Sequence, residues 1–339
     1  MSTAPPDRTN LTRGYPIALL SAAILSTTAI LIRYLTQTYG IPALVLAFWR
    51  DAFVALTLLP VLALLNPLLL RVSRVHLRYL VLFGLALAIF NSLWTLSVAL
   101  NGAAVATVLA YSSAGFTALL GWWLLKERLD WAKLLVVGLC LGGCVLVSGV
   151  LDPAVWHSNL TGILAGILTG LFYAVYTLMG RSAAQRGLNP WTTLTYTFGF
   201  AAVFLLVFNL LPGGVLPGAA ATPADLFWLG DAWIGWFILF LLAAGPTVAG
   251  FGLYNVSLMY LPSSVANLVA TLEPAFTATL AYFLFGERLS GVQLLGSLMI
   301  LAGVVFLRLH EGRLASESRP QRPNKRERIK VVPKTPSPD

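Results

Sequence analysis

The chain has 339 residues, 58% of them hydrophobic and only 10% charged, with a mean hydropathy of +0.81 and a formal charge of +9. Soluble globular domains carry about 25% charged residues, so these charges cannot cover a water-facing surface of this size, and an ordinary soluble fold is excluded. In lipid the backbone must satisfy its own hydrogen bonds in helices or a closed barrel; the apolar runs here are continuous rather than alternating, which selects helices.

A bilayer core of about 30 Å needs roughly 20 apolar residues per helix. On that measure the sequence holds about ten spans, near 15–34, 43–65, 79–99, 103–125, 131–150, 160–180, 190–211, 232–260, 263–285 and 291–308. The first run follows Arg8 and Arg13 and is long enough to span, so it reads as a retained helix rather than a cleaved leader. The fifth contains Cys140 and Cys144, which read as small packing residues, with neither a disulfide framework nor a metal site indicated. Gly162, Gly166 and Gly170 in the sixth, and Gly138 and Gly142 in the fifth, offer small faces for close helix packing. The connection at 212–231 is rich in Pro and Gly and reads as an irregular extramembrane loop. The tail at 309–339 is basic, Pro-rich and poor in apolar residues, which predicts disorder.

Lys and Arg set the orientation. With the N-terminus inside, the inner connections hold Arg8, Arg13, Arg71, Arg74, Arg78, Lys126, Arg128, Lys133, Arg181 and Arg186, and the outer ones only Arg288. A multi-pass protein of the plasma (inner) membrane is therefore expected, with residues 1–14 and the tail cytoplasmic. The positive charge is accounted for by this topology signal, with the tail able to touch anionic lipid; a nucleic-acid partner is not expected.

Residues 101–145 align without a gap on 261–305, with sixteen of forty-five positions identical. The stretch "LKERLDWAKLLV" (125–136) falls on "FGERLSGVQLLG" (285–296). At a shift of 148, Gly14, Arg33 and Pro42 meet Gly162, Arg181 and Pro190. The chain is thus two copies of a five-helix unit, 15–150 and 160–308. Five is odd, so the second copy enters the membrane from the opposite side. Inverted repeats are the build of many secondary transporters.

The paired "ERL" corners and the "LEPAF" before the second one resemble the drug/metabolite transporter superfamily, in its EamA-type branch. The resemblance covers about residues 14–308. It implies a ten-helix fold with cytoplasmic termini, transport of small metabolites such as amino acids, and no covalent cofactor. One departure is that Ala114 stands where members often carry Pro, opposite Pro274 of the second copy, so a kink is expected in one half only.

Charges within the spans are costly and often functional. Glu273 lies ten residues into the ninth span, about 15 Å deep, and Pro274 after it should bend the helix. A bent, acidic midplane position suits a substrate amine, a coupling proton or a cation; the plainer alternative is a buried carboxyl that ties helices together. Its counterpart is Ser113, with Tyr111 and Ser112 beside it as neutral hydrogen-bonding groups. Arg50 in the second span suits a substrate carboxylate, a balance for Glu273, or a brace on a neighbouring carbonyl. The adjacent Asp51 points about 100° away, reads as structural, and is not expected to pair simply with Arg50. Arg33 snorkels to the interface and is assigned no role. Asn91, Trp94, Tyr173 and Tyr176 are candidate cavity-lining groups, with packing or lipid contact as the plainer alternative. Gly245–Pro246 should break the eighth helix and serve as a hinge with Pro274.

The three histidines lie at loops or span ends, and no metalloprotease, nucleophile-elbow or acidic metal motif is present, so no enzyme is expected. The expected function is a secondary transporter, an exporter of amino-acid-like or amphipathic solutes by alternating access. Its expected partners are a small-molecule substrate, the bilayer and a coupling proton or ion, and it is expected as a monomer or homodimer without a cofactor. The alternatives are a drug or toxic-compound efflux carrier and a non-transporting membrane sensor or scaffold.

Overall fold

A computed structural model describes residues 8 to 310 apart from 127–129, 149–152, 271, 287–289, 293, 300–301, 304–305 and 307–309. The two Glu-Arg-Leu corners, the side chains of Ala114, Cys140 and Cys144, and the tail from 311 lie outside what is described.

Helices α1 (Arg8–Tyr39), α2 (Ala43–Leu65) and α3 (Arg74–Asn101) form the first three spans. The fourth is two pieces, α4 (Ala103–Ala110) and α5 (Ser113–Leu125), and α6 (Trp131–Ser148) is the fifth. The second copy runs through α7 (Pro153–Gln185), α8 (Pro190–Asn209), α9 (Trp233–Leu242), α10 (Val248–Tyr260), α11 (Ser263–Ala270) and α12 (Glu273–Phe285). Described positions between 291 and 310 are again helical. Six of these spans are continuous helices long and apolar enough to cross a bilayer. Local chemistry sets several starts. Ser73 Oγ accepts from the His76 amide at 3.4 Å, and Asn189 Oδ1 accepts from the Trp191 amide at 2.9 Å with Pro190 in the first turn.

The two copies break their fourth helix at the same place. In the first, helix stops at Ala110 and restarts at Ser113; in the second it stops at Ala270 and restarts at Glu273, exactly 160 residues on. Both pieces then end on a left-handed residue, Lys126 at φ 57° and Gly286 at φ 68°, again 160 apart. The expectation of a kink in one half only is therefore overturned. Ala114 stands in a copy that breaks as fully as the copy with Pro274, so the break does not require proline. Pro274 instead sits in the first turn of α12, where its missing N–H costs nothing, and the expected bend there is an interruption. The eighth span differs from expectation in the other direction. Gly245 and Pro246 do not interrupt it: residues Ala243–Thr247 form a π turn that joins α9 to α10. The widened turn absorbs the hydrogen bond that proline cannot make, and Thr247 Oγ1 donates to the Leu242 carbonyl at 2.7 Å.

The copies run in opposite directions. The C-terminal end of α1 (Arg33, Gln37) and the N-terminal part of its counterpart α7 (Leu160, Thr161) border one cavity, together with the end of α3. The end of α10, the counterpart of α3, lies instead beside Gly14 at the start of α1. They also interleave: α1 packs chiefly on α10 and α12, while α7 packs chiefly on α3, α5 and α4. Lipid tails are as apolar as leucine, so close packing rather than burial from water holds such helices together. Several glycines mark the closest approaches. A Cβ on Gly166 would stand 2.6 Å from Leu109, one on Gly250 2.5 Å from Leu25, and one on Gly252 2.6 Å from the Trp191 ring. Gly138 meets no described neighbour within 4 Å, whereas a Cβ on Gly142 would stand 3.3 Å from Met299.

The 212–231 connection carries short 3-10 turns and is tied to the bundle. Leu44 N donates to the Gly218 carbonyl (2.8 Å), Ala220 N to Asn209 Oδ1 (3.0 Å), Trp49 Nε1 to the Leu226 carbonyl (2.6 Å) and Trp228 Nε1 to the Tyr39 carbonyl (2.9 Å).

Candidate functional site

The two helix breaks face each other at the seam between the copies. Glu273, the first residue of α12, is only 6% exposed, and Tyr111 in the opposite break donates its hydroxyl to Glu273 Oε2 at 2.5 Å. The break itself provides this reach, because a continuous fourth helix would carry Tyr111 along a regular face. Gly170 of α7 allows the approach: a Cβ there would lie 3.0 Å from Ser113 N, 3.1 Å from the Ala110 carbonyl and 2.1 Å from Ser112 Oγ.

Around this pair lies a small cavity of about 30 Å³, roughly the room of one water molecule. The first copy contributes Leu25 and Thr28 (α1), Phe90 and Trp94 (α3), Ala110 and Tyr111; the second contributes Tyr173 (α7), Phe251 (α10) and Glu273. Aromatic rings make most of the wall, with Phe90 stacked on Tyr173 at 5.2 Å and Tyr111 edge-on to Tyr173 at 5.8 Å. The buried hydroxyl of Thr28 has no hydrogen-bond partner among the described residues. The arrangement presents one carboxyl in an aromatic box, which suits a positively charged or hydrogen-bond-donating group. Its walls must separate to admit anything much larger than water.

A second buried polar cluster adjoins through Tyr254, whose ring lies 5.7 Å from Tyr173. Tyr254 shares a 2.7 Å hydrogen bond with Thr177, Asn255 Nδ2 donates to Tyr176 at 3.0 Å, and Ser113 Oγ donates to Asn267 Oδ1 at 3.1 Å. Ser113, the counterpart of Glu273, thus fastens the first break to α11 of the other copy.

Arg50 lies apart from the Glu273 cavity. Its Nε is 3.2 Å from Asp51 Oδ1, with the two side chains 1% and 0% exposed, and Asn91 Nδ2 donates to Asp51 Oδ2 at 2.6 Å. Adjacent helical residues do pair here, contrary to the simple angular expectation, because an arginine is long enough to fold back on its neighbour. Arg50 Nη2 and Asn91 Oδ1 keep no partner among the described residues. Of the nine candidates, Glu273, Tyr111, Trp94 and Tyr173 border the cavity. Ser113 and Tyr176 belong to the adjoining cluster, Arg50 and Asn91 to the Asp51 cluster, and Ser112 packs its buried hydroxyl against Gly170. Leu25, Thr28, Phe90, Ala110 and Phe251 were not anticipated. A signal for two of them was available: at the 148-residue shift Leu25 aligns with Tyr173 and Thr28 with Tyr176. Among the described residues, no three His, Cys, Asp or Glu side chains come together to hold a metal ion.

The sequence pattern of the EamA-like transporter family matches residues 12–149 and again 160–309. A protein of Archaeoglobus fulgidus named as an uncharacterized transporter is 31% identical over 227 residues, covering 66% of this chain and 74% of that protein. The threonine/homoserine exporter RhtA of Salmonella typhimurium is 28% identical over 254 residues, 73% of this chain and 77% of that one. A probable amino-acid metabolite efflux pump of Salmonella typhimurium is 28% identical over 204 residues, 60% and 66% of the two chains. A crystal structure superimposes with a TM-score of 0.64 over 89% of this chain and 99% of that one; at 18% identity this shows the shared fold alone.

Proposed function

The chain belongs to the EamA-like transporter family, a multi-pass membrane transporter family, and from that premise we propose that it exports small amino-acid-like solutes by alternating access. The observation that carries the reading is the buried Glu273, held by Tyr111 of the opposite copy in a small cavity at the seam. Two interleaved, oppositely directed copies can exchange conformations, so a site at their seam opens to one side and then the other. Glu273 then receives the solute's amine, and the surrounding rings supply cation–π contact. In this reading both termini face the cytoplasm of the inner membrane, on the strength of the Lys and Arg distribution. The names of two relatives, RhtA and the amino-acid metabolite efflux pump, support the solute class.

The test is counterflow in proteoliposomes with a panel of amino acids, comparing wild type with Glu273→Gln between pH 5 and 8. The variant should transport less, or lose the pH dependence, while inserting normally. Equal transport by both proteins across that range sinks the assignment. A second reading, efflux of hydrophobic cations, is favoured by Phe90, Trp94, Tyr173 and Phe251 around a single carboxyl. Transport of lipophilic cations but no zwitterion would select it.

A further inference from the structure

Along α1, Arg33 lies five residues beyond Thr28, about 7.5 Å further up the axis. It borders an open cavity of about 710 Å³, formed where α1 and α3 end and α2 and α7 begin, and bounded by Pro217 and Gly218 of the 212–231 connection. This mouth shares α1 and α3 with the Glu273 cavity. The guanidinium is held but not neutralised. Its Nη1 donates to the Ala99 carbonyl at 3.3 Å. With the Gln37 amide turned so that its oxygen faces the arginine, Nη2 and Nε donate to that oxygen at 2.7 and 2.9 Å. Both acceptors are neutral, and no carboxylate among the described residues lies within ion-pair distance. The nearby connection carries Asp225 and Asp231; the first is spent on the amides of Ala221 and Thr222, and neither borders the cavity. A guanidinium has five N–H donors in a planar fork, so donors remain for an incoming acceptor. The lining mixes such groups, including Thr36 and Thr161, with Leu96, Leu100 and Leu160.

The geometry points to a second solute site at this mouth, in which Arg33 captures the carboxylate of a small amphipathic or amino-acid-like molecule one to two helical turns from the Glu273 cavity. It rests on the carrier reading for why such a solute passes, but not for the binding itself. A zwitterion would meet a cation here and a carboxyl at the seam, so the two sites sort its two ends. A lipid phosphate is the competing source of the same anionic chemistry, since Leu100 and Leu160 are about half exposed.

The test places a single cysteine at Thr161, with Cys140 and Cys144 replaced by alanine, in proteoliposomes of phosphatidylcholine. Modification rates are measured with a sulfonate-bearing and a trimethylammonium-bearing methanethiosulfonate. The anionic-to-cationic rate ratio should be about tenfold higher with Arg33 than with Arg33→Gln, as one nearby charge in a partly wet mouth dictates, and Arg33→Lys should retain it. Millimolar acetate or threonine should slow the anionic reagent in the Arg33 protein. An unchanged ratio in Arg33→Gln overturns the site. So does slowing that appears only when phosphatidylglycerol is added, which assigns the mouth to lipid. Protection by acetate is read on the Arg33 protein itself, so the result stands even if Arg33→Gln folds poorly. Glu273→Gln should leave the rate asymmetry intact whether or not it abolishes transport, so failure at the seam and failure at the mouth are told apart.

Discussion

Replacing Gly170 by alanine tests whether α7 truly clamps the break of the fourth helix. An added Cβ would stand 2.1 Å from Ser112 Oγ, 3.0 Å from Ser113 N and 3.1 Å from the Ala110 carbonyl. The hydroxyl can rotate away, at the loss of its packed position. The two backbone atoms cannot, because they belong to the turn that separates α4 from α5. Either α7 backs off by a few tenths of an ångström or the turn moves. Overpacking of this kind costs about 1–3 kcal/mol, against an intrinsic gain of up to about 1 kcal/mol for alanine over glycine in a helix. Gly138→Ala is the control, since nothing described lies within 4 Å of a Cβ there; it keeps the gain without the clash. The two variants should therefore differ by about 1–3 kcal/mol. At about 2 °C per kcal/mol for chains of this size, thermal unfolding in detergent should separate them by about 2–6 °C, with Gly170→Ala the lower. Gly170→Ala should also reduce counterflow, because the turn it pushes carries Tyr111 to Glu273. A Gly170→Ala protein as stable as Gly138→Ala, with full transport, would refute the close approach.

Tyr111→Phe removes the donor from Glu273 Oε2 while keeping the ring; a buried acceptor left without its donor costs about 1–3 kcal/mol, and transport should fall about tenfold in a dose-response of counterflow rate. Asp51→Asn strips Arg50 of its buried counter-charge and should destabilise by about 3–5 kcal/mol, whereas the Arg50→Leu/Asp51→Leu double variant should recover much of that loss; a double variant no more stable than Asp51→Asn argues against the ion pair as the cause. Cysteines introduced at Lys126 and Gly286, which close the two equivalent corner helices, should react with impermeant reagents from opposite faces of the membrane. Reaction of both from one face contradicts the inverted arrangement.

The membrane-spanning helices and the duplication were legible because lipid imposes a narrow rule. A helix must be long enough and apolar enough, and sixteen identities in forty-five positions survive that rule as a common ancestry of form. The burial of Glu273 was expected on the same ground, and the side chain is 6% exposed. The break at Tyr111 and Ser112 was not legible, since Ala114 offers no proline to announce it; in the structure Gly170 of α7 leaves room for that turn. The π turn at Ala243–Thr247 was misread as an interruption because Gly-Pro signals a strained ladder, not how the strain is relieved. The Arg50–Asp51 contact escaped a reading based on helical angles, which ignores the reach of a long side chain.

By itself the sequence determined the solvent, the helical class and the two-fold repetition, since hydropathy, length and internal identity are properties of the chain read along its own axis. Only the tertiary structure decided which residues meet: Tyr111 with Glu273, Ser113 with Asn267, Arg33 with an open mouth rather than with a carboxylate. Those meetings depend on the relative direction, rotation and spacing of helices from opposite copies. In a bilayer, close packing fixes these quantities, and no one-dimensional pattern of apolar residues carries them.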